Sequence, residues 1–438
     1  MRQWTKILLL ACAFPSALVC PAAADGPAPL PAFTPWNVPA LEKAPAFEWL
    51  DQSGEVRSLL FQGEPYRGKP TKVFAYYASP TTLGSDKASA KKYPTMVLVH
   101  GGGGHAFRDW VKVYARRGYA AIAMDLSGQK GDGQDLKPLP DGGPPQDDNT
   151  KFRMSNLPDK DQWTYHAVAD VLLAHSLVLG FDEVDAARTG LTGISWGGYL
   201  TCIVAGLDNR FKAALPMYGC GFLHENSFWV QPQLDQVSSE WREKWVRLWD
   251  PSSYVGSATM PMFFVNGTND FAYPLDSYAK TYALVHAPKN IRIEVGMKHG
   301  HWFDQKESLM FFDSQLKGEP PLPRVARVDV TGSRLTAEAE GPTRLVGATL
   351  SFTTGPNRAN RDRPWTTRPL DVAGLKVSGE APPPDATVFF ITVTDERGAM
   401  TSSAPLGPSI RAALNPLPSS ILSGCAGTVE RSTIPPAN

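Results

Sequence analysis

Cysteine is scarce in this chain, with five in 438 residues. Cys12 and Cys20 fall near the N-terminus, leaving Cys202, Cys220 and Cys425. Three thiols are too few, and odd in number, for a disulfide framework. A Cys202–Cys220 bridge stays open, with small buried hydrophobes as the plainer reading. Net charge is also missing, since 43 Lys and Arg balance 43 Asp and Glu. Such a chain has no electrostatic reason to seek nucleic acid or an anionic membrane surface. Beyond the N-terminus no stretch is long and apolar enough to span a bilayer, so stable membrane insertion is not expected. There is no internal repeat.

The N-terminus has the layout of a secretory signal. Arg2 and Lys6 precede an apolar run over 7–19, which is too short for a span, and Ala22, Ala23 and Ala24 offer a cleavage site before Asp25. Lipidation at Cys20 is the weaker alternative, because Val19 stands where a small residue is needed. Residues 1–24 are therefore read as a signal peptide, and the mature protein as secreted or periplasmic.

The length implies two to three domains. Residues 25–54, rich in Pro and Ala, read as an extended lead-in. Strands are expected at 56–62 and 71–77 as a hairpin, at 95–99 as a central parallel strand, and at 120–124, 188–194, 211–218, 261–265 and 291–295. Helices are expected over 110–117, 161–179, 196–207 and 302–316. The helix over 161–179 reads as amphipathic, with His175 spoiling its apolar stripe. Residues 127–158 read as a long surface loop. Strand and helix alternate as in a doubly wound, mostly parallel α/β sheet spanning 55–319. Within it, 222–256 break the rhythm as a cap-like insertion carrying Trp229, Trp241, Trp245 and Trp249. The last three are four residues apart and share one helix face, which favours packing over ligand stacking. After a linker at 320–323 the texture becomes short strands and turns, so 324–409 reads as a small β-sandwich-like domain and 410–438 as a flexible tail.

The chemistry gathers around Gly193-Ile194-Ser195-Trp196-Gly197. This is G-x-S-x-G between an expected strand and an expected helix, the setting of a nucleophile elbow. A serine hydroxyl needs a base, and the base needs an orienting acid. Asp270 follows the strand over 261–265, and His299 and His301 follow the strand over 291–295. The order Ser, acid, His is the one such a sheet requires. Taken alone, Asp270 could be a turn residue and the histidines solvated loop residues. The order and positions of the three together favour a catalytic set, with Ser195 as nucleophile, Asp270 as acid and His299 as base. His301 is the alternative base. Asp125 is an alternative acid but precedes the serine. No third or fourth ligand stands beside the two histidines, so no metal is expected. The loop His100-Gly101-Gly102-Gly103-Gly104 lacks both phosphate-binding patterns, and no cofactor is expected. It suits an oxyanion hole, with one N–H from Gly102 or Gly101 and the other from Trp196. Phe271, Tyr273 and Trp229 are candidates for the substrate pocket.

The segments His100 to Gly104, Gly193 to Gly198, Asn266 to Asp270 and Met297 to His301 resemble the α/β-hydrolase superfamily. The likeness lies near dienelactone hydrolases, prolyl-oligopeptidase catalytic domains and, most closely, exported acetyl xylan esterase-like proteins. It covers residues 55–317 and says little about the C-terminal β domain. It implies the same roles for Ser195, Asp270 and His299, and a small ester or acylated carbohydrate as substrate. A serine peptidase of the prolyl oligopeptidase type is the alternative, although about 70 mature residues before the first core strand leave no room for a propeller.

Overall fold

The computed structural model describes residues 26–86, 92–301, 305–355 and 360–415. The region read as a signal peptide lies outside them. The lead-in is more structured than its Pro and Ala content implies. It holds a helical turn, α1 (Val38–Leu41), and a strand, β1 (Phe47–Asp51). Trp36 is buried, and its indole N–H donates to the Tyr165 carbonyl at 2.9 Å.

The N-terminal unit is built around one large sheet. Its strands are β1, β2 (Arg57–Tyr66), β3 (Lys69–Ala78), β4 (Tyr93–Val99), β5 (Ala120–Met124), the short hairpin β6 (Gln129–Lys130) and β7 (Lys137–Pro138), β8 (Val184–Ile194), β9 (Ala213–Met217), β10 (Met262–Gly267) and β11 (Lys289–Glu294). Apart from the separate β6–β7 hairpin, the order across the sheet is β1-β2-β3-β5-β4-β8-β9-β10-β11. The pairs from β1 to β5 are antiparallel and those from β5 to β11 parallel. Strand alternation sorts the side chains into two cores. Val97, Val99, Ile122 and Leu191 face α3 (Trp163–Val178) and α4 (Trp196–Leu207). Met96, Leu98, Ala121 and Ala123 face α2 (Arg108–Arg116) and α8 (Lys306–Lys317).

Helix α3 is buried on every side, not amphipathic. The lead-in supplies the missing cover, since Trp36 binds one end and Ser176 donates to the Leu41 carbonyl at 2.8 Å. His175 is satisfied inside, between Asp208 at 2.8 Å and Thr189 at 3.1 Å. Residues 127–158 are not merely a surface loop either. The insertion folds as α5 (Leu223–Asn226) and α6 (Ser239–Trp249), and α6 lies over part of this loop. Trp241 and Trp245 donate to the carbonyls of Phe152 and Lys151 at 2.6 and 2.7 Å. Cys202 and Cys220 are buried free thiols.

After α7 (Leu275–Leu284) and α8 comes the C-terminal unit. It comprises β12 (Arg324–Thr331), β13 (Arg334–Glu340), β14 (Leu345–Thr354), β15 (Thr366–Ala373), β16 (Lys376–Glu380), β17 (Ala386–Asp395), β18 (Met400–Ser402) and α9 (Pro408–Leu414). All pairings within it are antiparallel. β15 pairs with β14 through residues 366–370 and with β16 through 371–373, so one ladder folds over a core that includes Leu335, Leu350 and Ile391. The unit is not a detached module, because β18 joins β11 and continues the main sheet. The expected tail from 410 starts too early, since Ile410 on α9 is buried in the main core.

Candidate active site

Ser195 sits between β8 and α4 with φ 58 and ψ −116. A side-chain-bearing residue held there costs about 1–3 kcal/mol, which neighbouring packing must offset. Its N–H donates to the Met217 carbonyl and its own carbonyl accepts from Tyr199, both at 2.9 Å. The flanking glycines are sterically required. A Cβ on Gly193 would overlap the Gly197 carbonyl, and one on Gly197 would overlap the Val99 carbonyl.

Asp270 and His299 are brought together by the loops that end β10 and β11. The Asp270 side chain is almost fully buried, and its Oδ2 meets His299 Nδ1 at 2.7 Å. Its Oδ1 accepts the N–H groups of Ala272 and Tyr273, each at 2.8 Å. Three bonds fix the carboxylate and turn the imidazole. The Tyr218 ring lies 4.5 Å from that of His299, and the Tyr218 hydroxyl donates to the Gly300 carbonyl. His301 does not reach the acid. It packs on Phe107 at 4.9 Å between ring centroids, and its Nε2, beside Gly101 and Gly104, is buried with no hydrogen-bond partner among the described residues. Burial, then the charges of His299 and His105, lowers its pKa.

The glycine loop lies against the elbow. A Cβ on Gly102 would stand 2.9 Å from Trp196 Cδ1, which places the residues of the two expected oxyanion N–H groups side by side. The N–H groups of Gly103 and Gly104 are engaged elsewhere, by Gln146 at 3.2 Å and by the Gly101 carbonyl at 3.1 Å. His100 anchors the loop. The Leu126 N–H donates to its Nε2 at 2.9 Å, so Nδ1 carries the proton and donates to the Gly101 carbonyl at 2.7 Å. Burial drives its pKa down to about 3, keeping it neutral. Asp125 plays no part in the pair. It bonds the N–H groups of Ser127 and Gln129 at 2.9 and 2.7 Å.

The three pocket candidates separate. Trp229 and Tyr273 are buried, so they form a wall and not an open surface. Trp229 meets Trp196 at 4.7 Å and Tyr273 at 5.4 Å, and Tyr273 lies parallel to His299 at 6.3 Å. Phe271 is 49% exposed and borders a cleft of about 920 Å³. Two features escaped sequence reasoning. Lys151 is buried with its ammonium 4.6 Å from the Trp196 ring and 5.5 Å from that of Trp163, where the ring faces compensate part of its lost hydration. Desolvation still lowers its pKa to about 8. Nothing in a polar loop sequence announces such a lysine. The second is Asn360 of the C-terminal unit, whose Nδ2 donates to the Asp270 carbonyl at 2.8 Å. Among the described residues, no group of three or more His, Cys, Asp or Glu is arranged to hold a metal ion, and no helix is long and apolar enough to cross a membrane.

The acetyl xylan esterase (AXE1) family model matches residues 52–252, and that of PhoPQ-activated pathogenicity-related protein matches 200–346. An acetyl xylan esterase from Paenibacillus sp. R4 superposes with a TM-score of 0.51 at 21% identity, over 64% of this chain and 92% of that one. The uncharacterized peptidase YuxL of Bacillus subtilis is 29% identical over 42% of this chain and 27% of its own length. Dipeptidyl-peptidase 5 of Aspergillus oryzae is 25% identical over 58% of this chain and 34% of its own length. The chain thus spans about a third of the curated relatives it matches. The sheet order, the strained serine between β8 and α4 and these likenesses agree: the chain has the α/β-hydrolase fold and is similar to its esterases and peptidases.

Proposed function

We propose that the protein is an exported ester hydrolase that removes acetyl or other short acyl groups from carbohydrate. Ser195 is the nucleophile, His299 the base and Asp270 the acid that orients it. His299 Nε2 takes the Ser195 proton as Oγ attacks the ester carbonyl. The N–H groups of Trp196 and Gly102 receive the developing oxyanion. The alcohol leaves with the proton from His299, giving an acyl-enzyme. Water then attacks, again deprotonated by His299, and acetate departs as Ser195 regains its proton. No cofactor enters.

The observations that carry this reading are the Asp270–His299 bond at 2.7 Å and the strained Ser195 at the strand-to-helix turn. The packed wall of Trp196, Trp229 and Phe152, with rings 4.7 to 6.4 Å apart, favours a short acyl group. The match to the acetyl xylan esterase family supports an acetyl ester. The peptidase names of YuxL and dipeptidyl-peptidase 5 support a second reading, cleavage of peptide bonds by the same three residues. We read the folded ladder of the C-terminal unit as a β-sandwich-like support for the catalytic unit.

The test is kcat/KM for acetylated xylan, a long-chain p-nitrophenyl ester and a prolyl p-nitroanilide with one preparation. Acetate release is expected to exceed both other reactions. A preference for the anilide would make the protein a peptidase.

A further inference from the structure

Lys151 sits where a cation is costly. It lies in the helical turn Asn149–Arg153 and is only 6% exposed. Its Nζ stands 4.6 Å from the centre of the Trp196 ring and 5.5 Å from that of Trp163, and among the described residues it makes no hydrogen bond or ion pair. Ring faces return only part of the hydration that an ammonium loses. Buried charges can be replaced by apolar side chains of similar volume without loss of stability, and often with a gain. Packing therefore does not account for a charge at this position.

The charge faces the oxyanion hole. The Trp196 ring beneath the ammonium is packed on Gly102, where a Cβ would stand 2.9 Å from Cδ1 and 3.5 Å from Nε1. The backbone N–H groups of Trp196 and Gly102 are the two oxyanion donors assigned above. His100, which anchors the glycine loop, also feels the lysine. After burial and the charges of His301 and His105, the Lys151 charge lowers its pKa. The same segment touches the loop directly, since Gln146 Oε1 accepts the Gly103 N–H at 3.2 Å. The carboxylates in the field of Lys151 are Asp148 and Asp147 of its own segment. Both residues are exposed to water, and they accept from the Gln233 amide at 2.9 Å and from the Thr150 N–H at 2.8 Å. The helices packed on the ammonium, α3 and α4, present the faces of Trp163 and Trp196.

Resting on acyl transfer at Ser195 as read above, whether the bond cleaved is an ester or an amide, we propose that Lys151 is a positioning residue for the oxyanion hole. Its ammonium holds the Trp196 indole against Gly102, and its field stabilises the negative charge that forms on the carbonyl oxygen as Ser195 Oγ adds. A fixed charge in a water-poor site needs no reorganisation at that moment. The charge can also be removed without a substitution. Desolvation, opposed by Asp148 and Asp147, lowers the Lys151 pKa to about 8, so the charge is lost as pH rises through that value.

The test compares the full chain with Lys151→Met and Lys151→Arg from pH 7 to pH 10. Two rates are read. One is kcat for p-nitrophenyl acetate. The other is the labelling of Ser195 by a fluorophosphonate, in which Oγ displaces fluoride from phosphorus and the negative charge gathers on the phosphoryl oxygen. Both wild-type rates are expected to fall about tenfold across this range, less than the loss of a direct oxyanion donor costs. Lys151→Met is expected to be about tenfold slower at pH 7, with KM within about twofold, no high-pH fall and no lower melting temperature. Lys151→Arg is expected to hold the wild-type rate at pH 7 through to pH 10, because a guanidinium does not titrate there. A flat wild-type profile, which needs no variant, overturns the proposal. So does Lys151→Met with the wild-type rate, or with the high-pH fall intact. The readings fail separately. Labelling that follows Lys151, without acetate release from acetylated xylan, supports the role of Lys151 and sinks the carbohydrate esterase. Acetate release that ignores Lys151 sinks only this proposal, and an unlabelled Ser195 overturns both.

Discussion

Asp270→Asn isolates what the acid does. In the native site Oδ1 accepts two backbone N–H groups at 2.8 Å and Oδ2 accepts the His299 Nδ1 proton at 2.7 Å. An asparagine keeps the first two bonds only by pointing its oxygen at Ala272 and Tyr273. Its amide then faces Nδ1 as a donor. The imidazole must answer with a lone pair there, so its proton moves to Nε2, and Nε2 can no longer accept from Ser195. The loop stays folded while the base is in the wrong tautomer. A fall in kcat of about 10⁴-fold is expected, with stability changed by less than about 1 kcal/mol because the backbone bonds persist. Asp270→Ala is expected to lose activity similarly but also to cost about 2–4 kcal/mol, since two buried N–H groups lose their acceptor. The assay pairs initial rates on p-nitrophenyl acetate with thermal melting of the same samples. Activity within tenfold of wild type in Asp270→Asn, with unchanged melting, would refute the tautomer argument and the role given to Asp270.

The two histidines are expected to separate. His299→Ala lowers kcat by about 10³-fold or more, while His301→Ala costs far less because His301 does not touch the acid; rates on one small ester decide it, and a dead His301→Ala would exchange the roles. The buried carboxylates make stability pH-dependent. Burial raises Asp125 from 3.8 to about 6, and burial together with the Asp125 charge raises Asp170 well above its usual value. Between the unfolded and folded pKa values the folded state holds a proton that the unfolded state has released. The stability from Asp125 is thus fully present below about 3.8 and is lost as pH rises through about 6. Asp125→Asn keeps acceptance from Ser127 and Gln129 and removes the charge. It is expected to flatten that loss and to be more stable at pH 8 by on the order of 2 kcal/mol. Denaturant midpoints of both proteins at pH 4 and pH 8 check this, and a variant less stable than wild type at pH 8 would overturn it.

Much of this was legible because it rests on local sterics. The elbow could be read from the spacing of Gly193, Ser195 and Gly197, since only glycine fits where strand and helix nearly touch. The strand beat could be read because Val97, Val99, Ile122 and their neighbours are apolar on both faces. Between His299 and His301 the sequence offered only a preference, because two residues of loop place either ring near the elbow. The hydrogen bond to Asp270 distinguishes them in space. Helix α3 misled because part of its cover comes from Trp36 and Leu41, more than a hundred residues upstream. Trp229 and Tyr273 were legible as neighbours of the site but not as buried ones. Asn360 had no local signal, since an Asn in a polar turn is ordinary.

The C-terminal unit had seemed separable because its texture differs and the catalytic set is complete before it. Its attachment argues otherwise. A sheet that ended at β11 would present an unpaired edge. β18 covers that edge at Ile291 and Ser402, with the Ile293 N–H donating to the Ser402 hydroxyl at 3.0 Å. Glu307 of α8 reinforces it by accepting the Met400 N–H at 3.0 Å. With β18 fixed, the ladder through β17 and β14 has a set position, and the segment after β14 falls onto the loop holding Asp270. One attachment therefore does two things. It shields the open edge of the catalytic sheet, and it carries Asn360, Arg361 and Arg363 to the cleft beside the base. A change in the β11–β18 pairing would reach Asp270 through that path without touching Ser195 or His299.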